Sequence, residues 1–174
     1  MNLKKVSILM LAFCLLVIFT ACGAGDWRNQ SSEPANADES SSSAPAEVSQ
    51  DDYEDSLDGL CKYLKDSEII SGDATEMRAD MIGAEAGNMY VHSFEGGSVT
   101  VELYAYDLDH LNDTGKSMLD SIKKNGTFTL LGTETPAILS DNGKYLMIYK
   151  DAKNDDVNVV QKARAEKLFR EFKK

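Results

Sequence analysis

Three regimes of hydrophobic spacing follow one another along this chain. Val6 to Phe19 is an almost unbroken apolar run, and Gly23 to Gln50 holds only Trp27 and Val48 as sizeable apolar groups. From Asp51 onward apolar residues recur at helical or strand spacing, so this is where a fold can form. Leu57, Leu60, Cys61 and Leu64 fall at i, i+3, i+4 and i+7 and, with Tyr53, predict a helix over 53–69 ended by Ser71-Gly72. Met77, Met81 and Ile82 predict a short second helix over 75–82, capped by Asp73 or Thr75. Residues 88–94 and 98–106 alternate across Glu95-Gly96-Gly97, and 136–140 and 144–149 flank Asp141-Asn142-Gly143, so each pair predicts a hairpin. Thr127 to Leu131 supplies a further strand. Leu111, Met118, Leu119 and Ile122 predict a helix over 109–124 closed by Asn125-Gly126. Val157, Val160, Leu168, Phe169 and Phe172 form the inner face of a last helix, running from an Asn154-Asp155-Asp156 cap to about Phe172. That order predicts an α+β domain. Its sheet has about five mainly antiparallel strands, from two hairpins plus one strand, with three to four helices mainly on one face.

Alternation also assigns the faces of the strands. With Val99, Val101, Leu103 and Ala105 toward the helices, Thr100, Glu102, Tyr104 and Tyr106 point away. Val91 on the neighbouring strand then goes inward, leaving Tyr90, His92 and Phe94 outside. On the last strand Leu146 and Ile148 point in, with Tyr145, Met147 and Tyr149 out. The outward set is rich in tyrosine, whose stiff ring and polar tip suit an exposed contact surface. Tyr90, His92, Phe94, Tyr104, Tyr106, Tyr145 and Tyr149 are thus the candidate binding face. The same spacing also fits a helix crossing to cover this face, with the tyrosines as core residues, and a single β-bulge would invert the assignment.

Lys4 and Lys5 precede the apolar run and Thr20-Ala21-Cys22 follows it, the order of a cleavable signal peptide over residues 1–21. A membrane span needs about 20 apolar residues, more than this run supplies. Phe19-Thr20-Ala21-Cys22 resembles the lipobox of bacterial lipoproteins, and the chain is similar to the small lipoproteins that Gram-positive bacteria export. Phe19 stands where that family prefers Leu. The resemblance implies lipidation of the Cys22 thiol, cleavage before Cys22, and display on the outer face of the cytoplasmic membrane. In a cell with a second membrane, the lipid sits in either one. Residues 22–50, rich in Ser, Ala and acids, then read as a disordered tether spanning about 30 Å root-mean-square. Residues 51–174 remain as a single globular domain.

The whole chain has 174 residues, 18 of them basic and 29 acidic. Removing 1–21 takes only Lys4 and Lys5 from the charges, so 16 basic residues face 29 acidic ones, a formal −13. Such a charge repels nucleic acid and anionic headgroups, and no nucleic-acid partner is expected. Cys14 leaves with the signal peptide and Cys22 carries lipid, so Cys61, in the apolar stripe of the first helix, reads as a buried inert thiol.

Three patterns that suggest chemistry fall short of their motifs. Gly115-Lys116-Ser117 has His110 where a phosphate loop needs its first glycine. Asp107, Asp109 and Asp113 miss the calcium-loop pattern, with Leu111 at the fifth position and Asn112 in place of the turn glycine. His92 and His110 belong to no metal-ligand spacing, and no serine sits in a nucleophile elbow. No catalytic residue, metal or cofactor is expected. The expectation is a non-enzymatic, membrane-anchored binding or accessory module for a protein, peptide or wall polymer. The alternatives are an immunity-type or inhibitor lipoprotein with a protein target, and a hydrolase using carboxylates such as Glu102 or Asp109.

Overall fold

The computed structural model describes residues 48–174. The expected signal peptide over 1–21, the expected lipidation site Cys22 and the expected tether over 22–50 as far as residue 47 lie outside the described residues. Among the described residues no helix is long and apolar enough to cross a membrane.

Three helices and two sheets make an α+β fold. In chain order they are α1 (Leu57–Asp66), β1 (Thr75–Glu76), β2 (Ala86–Phe94), β3 (Gly97–Ala105), α2 (Asp113–Asn125), β4 (Thr127–Leu130), β5 (Thr133–Pro136), β6 (Ile138–Leu139), β7 (Tyr145–Asp151) and α3 (Asp156–Glu171). The main sheet runs β1-β2-β3-β7-β6, antiparallel throughout. Both hairpins read from the sequence are present, the second with Gly143 at φ 73° in its turn. The expected strand at 127–131 does not join this sheet. It pairs with β5 in a hairpin of its own across Leu131-Gly132, both at positive φ, the geometry of a two-residue hairpin turn.

Each helix begins where a side chain caps it. Ser56 accepts from the Gly59 N–H at 3.1 Å, Asn112 from Gly115 at 2.8 Å and Asp155 from Asn158 at 3.3 Å. Capping shortens two of the expected helices: the first starts at Leu57 rather than Tyr53, and the middle one at Asp113 rather than Asp109. The expected helix over 75–82 is instead the two-residue β1 followed by a 3-10 turn at Ala79–Ile82. Met77 N–H donates to the Gly87 carbonyl at 2.8 Å, and this ladder bond competes with helix formation there.

Both faces of the sheet are covered. On one, α1 and α3 close a core of Leu57, Leu60, Cys61, Leu64, Val99, Val101, Leu103, Met147, Phe169 and Phe172. On the other, α2 and the 3-10 turn pack Leu119, Ile122 and Ile82 against Tyr104, Tyr106, Leu146 and Ile148. Val48 lies against the first core, so packing begins before Asp51.

The last helix is rotated relative to its apolar spacing. Phe169, Phe172 and Ala165 are fully buried, whereas Val157 and Val160, expected inside, are 55% and 68% exposed. Buried Asn158 takes the inward place on the first turn because its Nδ2 donates to the Asp151 carboxylate at 2.8 Å. Phe169→Ala is therefore expected to cost about 3–5 kcal/mol in urea unfolding, and Val160→Ser less than about 0.5 kcal/mol. Equal losses would contradict this helix phase.

Candidate functional site

Strand register decides the fate of the tyrosine-rich face. Tyr90 stands opposite Val101 and Val101 opposite Tyr149, while Ala105 faces Tyr145. Opposed residues project from the same side of a sheet, so Tyr90 and Tyr145 enter the valine core and are 3% and 0% exposed. Tyr104 and Tyr106 do point to the opposite face, yet α2 and the 3-10 turn bury them to 5% and 1%. The seven candidates thus form no common exposed face. The faces of Val91, Leu146, Ile148 and Met147 are likewise reversed from expectation: Val91, Leu146 and Ile148 share a side with Tyr104, and Met147 joins the valines.

Phe94 and Tyr149 pack partly against the first core, and His92 sits across from Val99 and Asp151. His92 Nδ1, the Tyr149 hydroxyl and Asn158 Oδ1 are buried without a hydrogen-bond partner among the described residues. Burial lowers the His92 pKa against the pull of Asp151 and raises Tyr149 to about 12.

The feature that gathers functional groups is a cleft of about 730 Å³ at the end of the sheet where β2 begins and β3 ends. Its walls come from the start of α1, from Glu76 to Asp80, from Ala84 to Asn88, and from Ala105 and Lys144. Two close backbone approaches shape it. A Cβ on Gly59 would stand 2.0 Å from the Glu54 carbonyl oxygen, so only glycine lets residues 54–56 fold over the first turn of α1 and present Asp55. Gly83, at φ 72°, lies with its own would-be Cβ 2.2 Å from the Gly115 nitrogen, which seats the 3-10 turn against α2.

Asp55 anchors the cleft to β7. Its Oδ1 accepts from the Tyr145 hydroxyl at 2.7 Å and its Oδ2 pairs with Lys144 Nζ at 3.1 Å, while the same ammonium donates to the Asp55 carbonyl at 2.8 Å. Burial pushes the Asp55 carboxyl up, but the Tyr145 hydroxyl and the Lys144 ammonium outweigh it and hold the pKa below the ordinary value. Burial and Asp55 together push the Tyr145 phenol up. Arg78 is likewise committed, with a two-point contact to Asp80 at 3.0 and 2.9 Å.

Both cations of the cleft are thus occupied by their own carboxylates. Asp58, Glu76 and Glu85 also line it and make no side-chain hydrogen bond or ion pair among the described residues. The result is a polar recess with an uncompensated negative charge. Asn88 Nδ2 reaches toward Cys61 Sγ at 3.8 Å, and burial raises the pKa of that free thiol.

The recess contains no histidine: His92 is at the far end of β2, and His110 contacts Asp107 at 2.7 Å in the loop before α2. No cluster of three or more His, Cys, Asp or Glu suited to a metal occurs among the described residues. Lys116 and Ser117 lie inside α2 rather than in a phosphate-cradling loop. The arrangement can attract positive charge. No family model, curated protein or solved structure matches the chain.

Sequence reasoning missed this cleft because its carboxylates are scattered from Asp55 to Glu85, and only the strand crossing to Lys144 unites them. The lowered pKa of Asp55 gives a stability contribution present above the unfolded value of about 3.9 and lost as pH falls through the lower folded one. Asp55→Asn is expected to lower the melting midpoint at pH 7, with the gap to the parent narrowing below about pH 4. Melts across that range check it; a gap that stays constant would mean the charge of Asp55 does not tie α1 to β7.

Proposed function

We propose that this protein is a non-enzymatic binding module, exported and lipid-anchored through Cys22 at the outer face of the cytoplasmic membrane. Its cleft receives a basic segment of a partner protein. One observation carries this reading: the two cations in the cleft are locked by Asp55 and Asp80, leaving Asp58, Glu76 and Glu85 to act on whatever enters. The surroundings reinforce it. Lys4, Lys5 and Arg28, and Asp26, Glu33, Asp38, Glu39 and Glu47, precede residue 48, so 48–174 holds 15 basic and 24 acidic residues, a formal −9. A field of that sign speeds the approach of basic partners. Asp55, held to Tyr145 and Lys144, gives the recess a fixed wall, which limits the ordering cost of binding.

A lysine-rich peptide serves as the probe. Its affinity is expected to fall as salt rises from about 50 to about 300 mM, and by roughly tenfold, about 1.4 kcal/mol, in the Asp58→Asn/Glu85→Gln double variant. Peptide binding that ignores both salt and the double variant would remove the cleft from consideration. For the anchor, mass spectrometry of the membrane-fraction protein is expected to find Cys22 at the N-terminus carrying acyl mass; an unmodified Cys22 would rule out a lipid on that residue.

A further inference from the structure

We propose that the outer edge of β2 is a second docking site, where an extended, positively charged segment of a partner protein adds to the sheet as a further antiparallel strand. The inference rests on the backbone of β2 and not on the carboxylates of the cleft.

Backbone geometry supplies the site. Met77 N–H donates to the Gly87 carbonyl, so the backbone groups of Gly87 point away from β3. The other flank agrees: Ala152 N–H donates to the Ser98 carbonyl, which turns the even residues of β3 toward β7 and the odd ones toward β2. In an antiparallel ladder such directions alternate with period two. Met89, Val91 and Ser93 therefore also direct their N–H and C=O groups outward. The strand beyond them, β1, pairs only with Asn88 and Met89. Past Met89 no described strand continues the ladder, so Val91 and Ser93 present two N–H donors and two carbonyl acceptors to the edge. The open stretch Tyr90–Phe94 is five residues, about 17 Å of strand.

The side chains leave this edge open. Val91 is 55% exposed and Ser93 is exposed. Proteins usually guard such edges with charge, proline or a bulge, yet Tyr90-Val91-His92-Ser93-Phe94 has no Asp, Glu, Lys, Arg or Pro and pairs with β3 in unbroken register. The opposite edge is different. Beyond the two-residue β6, β7 continues as Tyr149-Lys150-Asp151, with charged side chains on successive positions.

Charge selects the occupant. Glu95 in the β2–β3 turn has no side-chain ion-pair partner among the described residues, although Lys153 Nζ donates to its carbonyl and Lys65 Nζ lies 5.2 Å from the Tyr90 ring centroid; residues 48–174 as a whole stand at a formal −9. A second copy of this chain would bring another −9 to the same edge and set His92 against its own counterpart. A basic strand would instead be drawn by that net charge, with its backbone closing on Val91 and Ser93 and a cation near Glu95.

The test uses the chain from Cys22 onward, since every residue of both cores lies within 48–174. The probe is an acetylated, amidated peptide with alternating Thr and Val flanked by Lys, followed by amide NMR and hydrogen exchange. The Val91 and Ser93 amides are expected to shift and gain protection on titration. Val91→Pro, which removes an outward N–H that the sheet does not use, is expected to weaken binding about fivefold to tenfold. Val91→Lys, which keeps the N–H but places a cation on the edge, is expected to do likewise. Asp58→Asn/Glu85→Gln is expected to leave the Val91 and Ser93 shifts intact, which separates this site from the cleft. Three outcomes would overturn the proposal: unmoved Val91 and Ser93 amides at saturation, equal affinity of both Val91 variants and the parent, or protection of those amides in the protein alone. In the last case, sedimentation separates a second copy from a segment of the same chain as the occupant.

Discussion

Everything else in this fold depends on the register of β2, β3 and β7. Opposed residues of antiparallel strands share a face, so Tyr90 beside Val101 and Tyr149 makes one apolar row, and Tyr104 beside Leu146 makes another on the reverse side. A sheet that is apolar on both sides requires two covers. The pair α1 and α3 supplies one and α2 with the 3-10 turn the other. On the outer strand β2 the α2-side cover leaves Val91 55% exposed.

The two ends of the sheet consequently differ in chemistry. At the end near Asp55, the chain is drawn together by tight backbone approaches at Gly59 and Gly83 and by the Tyr145–Asp55–Lys144 contact, leaving side-chain carboxylates around a recess. The carboxylates there act by coulombic attraction, which salt screens. Toward Phe94 the available groups are backbone amides, whose hydrogen bonds depend on geometry more than on ionic strength.

Near the far end a polar group also interrupts the apolar face. Asp151 accepts from Asn158, and His92 and Tyr149 stand near enough to feel its charge. That arrangement sets the phase of α3: with Asn158 inward on the first turn, Val157 and Val160 rotate out, and only from Ala165 onward does the helix bury apolar residues. The Asn158 Nδ2 contact to the Asp151 carboxylate outranks the hydrophobic spacing of Val157 and Val160, even though Oδ1 of the same amide is buried without a partner among the described residues.

Local patterns by themselves determined the α+β class, both hairpins of the main sheet, the three long helices and the burial of Cys61, because periodicity, caps and Asn-Gly turns are short-range properties. They left open whether the tyrosines were surface or core, since alternation says which residues share a side within one strand but not which side meets its neighbour. That choice belongs to the register between strands and to the helix that covers each face. The cleft was illegible for a related reason: Asp55, Glu76, Glu85 and Lys144 become neighbours only when β2, β3 and β7 align their ends beside the first turn of α1. Tertiary structure decided those questions because pairing energy between strands and burial on both faces are summed over contacts distant in the chain, which no local spacing encodes.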